Sequence, residues 1–241
     1  MRCFAHRGFA GIVPENTRLA ARRAAELGAD GIECDVVATA DGTPVVFHDR
    51  RLDDGGNSRG VTDRTGAVAA TATETVTRAR VLDTDERVPT LAAFLDAVPR
   101  ELTLNVELKH PGEPPGEHGP IAATDRETHR ERWQPFVDRV FDVLTADREL
   151  LVSSFYEGAL HAVRERAPGV ERAPIAVETE TAREMADAVG TRTIHPAIEG
   201  LREPLDEEWT VNAWTARTWQ DARAARRAGV DGLIADYPGL Y

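Results

Sequence analysis

Apolar positions along the chain gather in short runs, and stretches with apolar residues three and four apart lie between them. Runs at 2–5, 31–38, 102–107, 150–153, 174–177, 192–195, 210–214 and 232–235 read as strands. Several are apolar throughout, as expected of strands buried on both faces. Helical spacing covers residues 18–27, 89–97, 134–146, 156–166, 181–188 and 218–228, with a shorter candidate at 71–79. Asn16 or Thr17 suits the cap of the first helix, and Gly28 and Gly229 suit helix ends. Eight strands alternating with helices predict an α/β protein of the (β/α)8 TIM-barrel class, one domain over residues 1–241. Asp41-Gly42 is a hairpin signal, so 44–47 is expected to return against the second strand. Residues 50–88 lack this rhythm and read as an irregular excursion within the domain. Residues 110–132, rich in Pro, Gly and charge, read as a long loop whose His110, His118 and His129 face solvent.

Polar residues interrupt the apolar runs at one recurrent place, the carboxyl ends of strands. In a strand, residues two apart point to the same side. Glu33 and Asp35 therefore project together, with Cys34 facing away, and Glu107 and Lys109 repeat the arrangement. His6-Arg7-Gly8 closes the first strand and His48-Asp49 closes the return strand. The carboxyl ends of barrel strands are where such folds place their chemistry. Convergence there would bring three carboxylates, two imidazoles, an arginine and a lysine into one pocket. Oxygen ligands alone suit a hard cation, Mg²⁺ or Ca²⁺, better than Zn²⁺. A hard cation beside Arg7 and Lys109 suits charge developing on phosphorus. His6 and His48 ordinarily titrate near neutrality and could move the protons.

Composition narrows the class. The net charge of −12 and the pI near 5.1 argue against a nucleic-acid partner, which needs a basic stripe. No apolar run has the length of a membrane span, so no stable membrane insertion is expected. The absence of a visible leader makes the cytoplasm the expected compartment. Cys3 and Cys34 are too few for a disulfide framework and are expected as small buried thiols. Lys109 is the sole lysine among 29 basic residues. Acid excess with almost no lysine suggests a protein adapted to concentrated salt, where screening relieves self-repulsion. A lysine that persists beside a proposed metal ligand suggests a need for a compact point charge rather than a planar fork.

Taken together the motifs resemble the glycerophosphodiester phosphodiesterases. The resemblance spans His6-Arg7-Gly8, Pro14-Glu15-Asn16-Thr17, Glu33-Cys34-Asp35-Val36, Thr39-Ala40-Asp41-Gly42, His48-Asp49 and Pro89-Thr90-Leu91. It continues through Glu107-Leu108-Lys109, Ser154-Phe155, Trp214-Thr215, Gly229-Val230-Asp231-Gly232 and Asp236-Tyr237-Pro238. It implies a divalent metal on Glu33, Asp35 and Glu107, with His6 and His48 as the acid–base pair. Arg7 and Lys109 would contact phosphate. Glu15 and Asn16 would support the first loop, and Trp214 would line the pocket. The implied reaction releases glycerol phosphate and an alcohol from a small-molecule phosphodiester. In it a glycerol hydroxyl attacks phosphorus, expels the alcohol and forms a cyclic phosphate that water opens. Asp53-Asp54-Gly55-Gly56, Thr215-Ala216-Arg217 and Ala235-Asp236 depart from the family pattern and bear on substrate identity. Two other readings stand beside this one. They are a lysophospholipase-D-like enzyme stopping at the cyclic phosphate, and a non-catalytic phosphodiester-binding barrel. The alcohol group, the choice of cation and the oligomeric state are not legible.

Overall fold

A computed structural model of the chain describes residues 1–111, 118–145, 148–201, 205 and 208–240. Eight parallel strands close a ring: β1 (Arg2–Ala5), β2 (Gly31–Ala38), β4 (Thr103–His110), β5 (Leu150–Ser154), β6 (Glu171–Ala176), β7 (Thr193–Pro196), β8 (Thr210–Ala216) and β9 (Gly232–Ala235), which pairs back onto β1. A ninth strand, β3 (Pro44–Val46), runs antiparallel to β2 after the Asp41-Gly42 turn. β1 pairs with the start of β2 and β3 with its end, so the hairpin extends the rim without opening the ring. This is the expected barrel.

The helices are α1 (Arg18–Glu26), α2 (Thr73–Val76), α3 (Leu91–Leu95), α4 (Arg126–Phe141), α5 (Glu157–Arg166), α6 (Thr179–Val189) and α7 (Trp219–Ala228). Of the two cap candidates, Thr17 takes the position, its hydroxyl accepting from the Ala20 amide. Thr90 caps α3, and Thr218 with Asp221 forms a reciprocal capping box on α7. α1 and α7 turn alanines inward (Ala20, Ala21, Ala24; Ala222, Ala225, Ala228), which lets them lie close on the sheet.

Two expectations are corrected. The region 110–132 is not one long loop: α4 begins at Arg126, well before the expected 134, and ends at Phe141. Pro135 lies within the helix, whose Trp133, Phe136, Val137 and Val140 are buried. His129 is thus helical, and His110 is the buried last residue of β4. β4 outruns the expected 102–107 because Lys109 meets carboxylates there, so a charged residue does not end the strand.

The described residues hold two hydrophobic clusters. The larger joins the barrel to its helices and includes the buried Cys3 and Cys34. Burial pushes the Cys3 thiol up to about 12, which keeps it inert. A smaller cluster sets Leu52, Val61, Val68, Val76, Val81 and Val88 against Val37, Val45 and Phe47. The irregular 50–88 segment is thereby anchored beside β2 and β3, at the edge of the barrel mouth. No described helix is long and apolar enough to cross a membrane.

Candidate active site

Strand register builds the site. β2 and β4 pair so that Asp35 lies beside Glu107 and Glu33 beside Asn105. Oxygens of Glu33, Asp35 and Glu107 all come within 4.8 Å of one another. The three residues are buried, and Arg7 and Lys109 are the cations among them. Arg7 Nε stands 3.1 Å from Asp35 Oδ2, and Lys109 Nζ stands 2.6 Å from Glu107 Oε1 and 3.6 Å from Asp35 Oδ1. Burial alone would raise Asp35, but Arg7, His48 and Lys109 hold its carboxyl far below the usual range. Glu33 goes the other way: burial and the Asp35 and Glu107 carboxylates push it well above the glutamate range. Burial works against charge on Lys109, yet Glu107 and Asp35 raise its ammonium above the ordinary lysine value.

The turn after β1 delivers His6 and Arg7. Arg7 takes a left-handed conformation (φ 52°), and its N–H donates to Glu33 Oε2 at 2.9 Å. Gly8 follows at φ 79°; a Cβ there would meet the Ala20 Cβ at 2.5 Å, so α1 packs directly on the turn. Asn16, also left-handed (φ 57°), bonds Asp35 twice: its Nδ2 donates to Oδ2 at 2.8 Å, and its Oδ1 accepts from the Asp35 amide at 3.3 Å. Asparagine tolerates that backbone better than most residues. Glu15 accepts from Arg7 at 3.2 Å and from both terminal nitrogens of Arg59 at 2.6 and 2.8 Å. Burial opposes its charge, and the Arg59 bonds lower its carboxyl nonetheless.

His6 and His48 are each held by a carboxylate through Nδ1. His6 Nδ1 lies 2.5 Å from Asp236 Oδ1, and His48 Nδ1 lies 2.6 Å from Asp49 Oδ1. That fixes the ring and leaves Nε2 as the exchangeable nitrogen. Burial lowers His6, and the Asp236 hydrogen bond partly offsets it. Asp49 is held down to about 2 against burial, by His48 and by the Arg59 amide and guanidinium.

His6, Arg7, Glu33, His48, Glu107, Lys109 and Trp214 line one cavity of about 140 Å³ at the barrel mouth. Phe155 and Trp214 meet edge to face there (5.5 Å between ring centres), and Lys109 Nζ sits 5.5 Å from the Phe155 centre. A groove of about 500 Å³ adjoins it across His48, Glu107, Lys109 and Phe155, and Arg50, Asn57 and Ser58 from the excursion edge it. The structure therefore brings together every residue expected at the site, with Glu15, Asn16 and Asp35 behind the wall. Asp236, Arg59, Asn105, Ser153 and His195 were not singled out for a role. Asp236 had a signal in Asp236-Tyr237-Pro238 at the last strand end. Arg59, in the irregular segment, had none.

Comparison with known proteins follows this geometry. Residues 6–240 match the glycerophosphoryl diester phosphodiesterase family. The chain belongs to that family of hydrolases. A glycerophosphodiester phosphodiesterase of Caldanaerobacter subterraneus is 30% identical, over 97% of this chain and 93% of its own. An uncharacterized Bacillus subtilis protein, YqiK, is 31% identical over 98% and 95%. In fold, the chain superposes with a TM-score of 0.78 on an Oleispira antarctica phosphodiesterase solved with its product sn-glycerol-3-phosphate, at 24% identity, covering 99% of this chain and 94% of that one.

Proposed function

We propose that this protein hydrolyses glycerophosphodiesters to glycerol phosphate and an alcohol, with Mg²⁺ or Ca²⁺ on Glu33, Asp35 and Glu107. The observation that supports it is an unbalanced acid cluster. Among the described residues, Glu33 Oε1 is buried and accepts no hydrogen bond, and Asp35 Oδ1 has only the Lys109 ammonium 3.6 Å away. With all three carboxylates ionised, as metal ligation requires, they exceed Arg7 and Lys109 by one negative charge, and the rise of Glu33 reflects the cost of that excess without a cation. A divalent cation inverts that sign and supplies electrostatic stabilisation of charge on the phosphoryl oxygens. Arg7 and Lys109 bind and orient the phosphate. One of His6 and His48 takes the proton of the attacking glycerol hydroxyl through Nε2, and the other gives a proton to the leaving alcohol. Their roles reverse when water opens the cyclic phosphate. Asp236 and Asp49 hold the two rings in the required tautomer. Glu15 and Asn16 support the loop, and Trp214 closes one side of the cavity.

The adjoining groove is edged by polar residues, which fits a small hydrophilic alcohol better than a lysolipid chain. The whole chain acts as one phosphodiesterase domain in this proposal, with 50–88 as its excursion, and it works in the cytoplasm at high salt. The test is release of glycerol phosphate from glycerophosphocholine after complete chelation, with Mg²⁺ or Ca²⁺ added back. Metal-dependent release supports the proposal; no release with either ion across a panel of diesters refutes it.

A further inference from the structure

Level with Glu33, and deeper along the strands than Asp35 and Glu107, the cavity has a neutral polar floor that the chemistry above does not use. Asn105 lies two residues before Glu107 on the same inward face of β4 and is 1% exposed. Ser153 Oγ donates to Asn105 Oδ1 at 2.9 Å, and Asn105 Nδ2 has no hydrogen-bond partner among the described residues. Whichever way the amide is turned, one of its polar atoms stays unpaired. His195 stands on β7, three places round the ring from β4, and is also 1% exposed. Its Nε2 contacts Asn212 Nδ2 at 3.0 Å, and its Nδ1 has no hydrogen-bond partner among the described residues. Asn212 is seated by Gly232: a Cβ there would fall 2.1 Å from Asn212 Oδ1. Both Asn105 and His195 line the same cavity as the two proposed acid–base histidines, with Ile175 and Ile234 among its apolar walls.

Buried unpaired polar groups are costly and call for a partner. The partner here is uncharged. Among the described residues neither orphaned atom has a hydrogen-bond or ion-pair partner, and burial holds the His195 imidazole down to about 3, keeping it neutral. A hydroxyl can both donate and accept, so it satisfies either amide orientation and either tautomer. Two residues of strand put Asn105 about 7 Å deeper along β4 than Glu107, level with Glu33 on β2.

We propose that Asn105 and His195 form the specificity floor for the glycerol half of the substrate, gripping the hydroxyl farthest from phosphorus while the apolar walls receive its carbon chain. This rests on the glycerophosphodiesterase proposal and adds the residues that would recognise glycerol. The experiment compares glycerophosphocholine with its analogue lacking only that terminal hydroxyl, the 2-hydroxypropyl diester, on the metal-loaded enzyme. Calorimetric binding of the two corresponding phosphate monoesters accompanies it. The attacking hydroxyl is present in both diesters, so the chemistry is unaltered. The wild type is expected to prefer the glycerol compound by roughly tenfold or more in kcat/KM and in affinity. Asn105→Leu and His195→Phe should shrink that ratio towards one, whereas a merely structural role would lower both substrates alike. Equal handling of both compounds by the wild type overturns the floor assignment, and needs no variant to fold. Turnover of neither compound, under any metal, overturns the underlying activity as well.

Discussion

Replacing Glu33 by glutamine should stabilise the protein without metal and destroy its response to metal. Glu33 is 2% exposed, and its Oε2 accepts from the Arg7 amide at 2.9 Å. A glutamine oxygen keeps that bond, and its amide presents donors to Asp35 and Glu107 where wild type presents a third carboxylate. Burial and those two neighbours raise Glu33 well above the glutamate range. A group so raised favours the folded state at low pH, and that contribution is lost as pH rises through its folded-state pKa. Its cost at pH 7 is bounded by solution pH. Holding the carboxyl neutral costs about 1.4 kcal/mol for each pH unit above the ordinary value near 4.3, so at most about 4 kcal/mol. Glutamine removes most of this, about 1–4 kcal/mol. For a chain of this size that raises Tm by about 3–15 °C in chelator. Wild type should recover about 2.7 kcal/mol on adding metal at a hundredfold excess over its Kd, and the variant almost none. Thermal unfolding in EDTA and in Mg²⁺, from pH 5 to 8, measures all three. Wild type in EDTA should weaken towards pH 8, and the variant should weaken less. A variant that melts below wild type in EDTA, or gains as much as wild type from metal, would refute the account of an unbalanced acid cluster.

Other outcomes follow from the same geometry. Lys109→Arg should lower kcat/KM about tenfold or more, because a planar fork cannot reproduce an ammonium set between Glu107, Asp35 and the Phe155 ring; unchanged kinetics would dismiss the need for a compact charge. Asp236→Asn should lower kcat by roughly a hundredfold or more with modest change in KM, since Arg217 Nε, which donates to Asp236 Oδ2, would claim the amide oxygen and turn the NH2 towards His6 Nδ1, imposing the wrong tautomer; steady-state kinetics with circular dichroism separate this from misfolding. Raising NaCl from dilute buffer to molar concentration should raise Tm, because screening relieves the repulsion of a −12 chain; a Tm that is highest in dilute buffer would remove the case for salt adaptation.

The alternation of apolar runs with helical spacing was enough to specify a closed eight-stranded barrel, because local periodicity and the parallel-strand requirement for crossovers leave few alternatives. Glu33 with Asp35, and Glu107 with Lys109, were legible because a strand's two-residue period puts them on one side whatever the tertiary context. The hairpin at Asp41-Gly42 and the helix ends at Gly28 and Gly229 were legible for the same local reason. What lay outside reach was set by contacts between distant segments. β4 continues through Lys109 because carboxylates meet the charge there, and α4 begins at Arg126, which bonds Glu157 on α5, and runs through Pro135 along its buried face. Asp236 reaches His6 across 230 positions, and Arg59 reaches Glu15 and Asp49 from a segment without periodicity. Asn105 and His195 read as ordinary strand residues. Only ring closure, which sets β4 and β7 around one cavity, shows that each keeps a polar atom unpaired. Local pattern decided the scaffold and the kind of chemistry at its rim. The tertiary structure decided which groups share a cavity, because burial and through-space distance have no trace in a one-dimensional pattern.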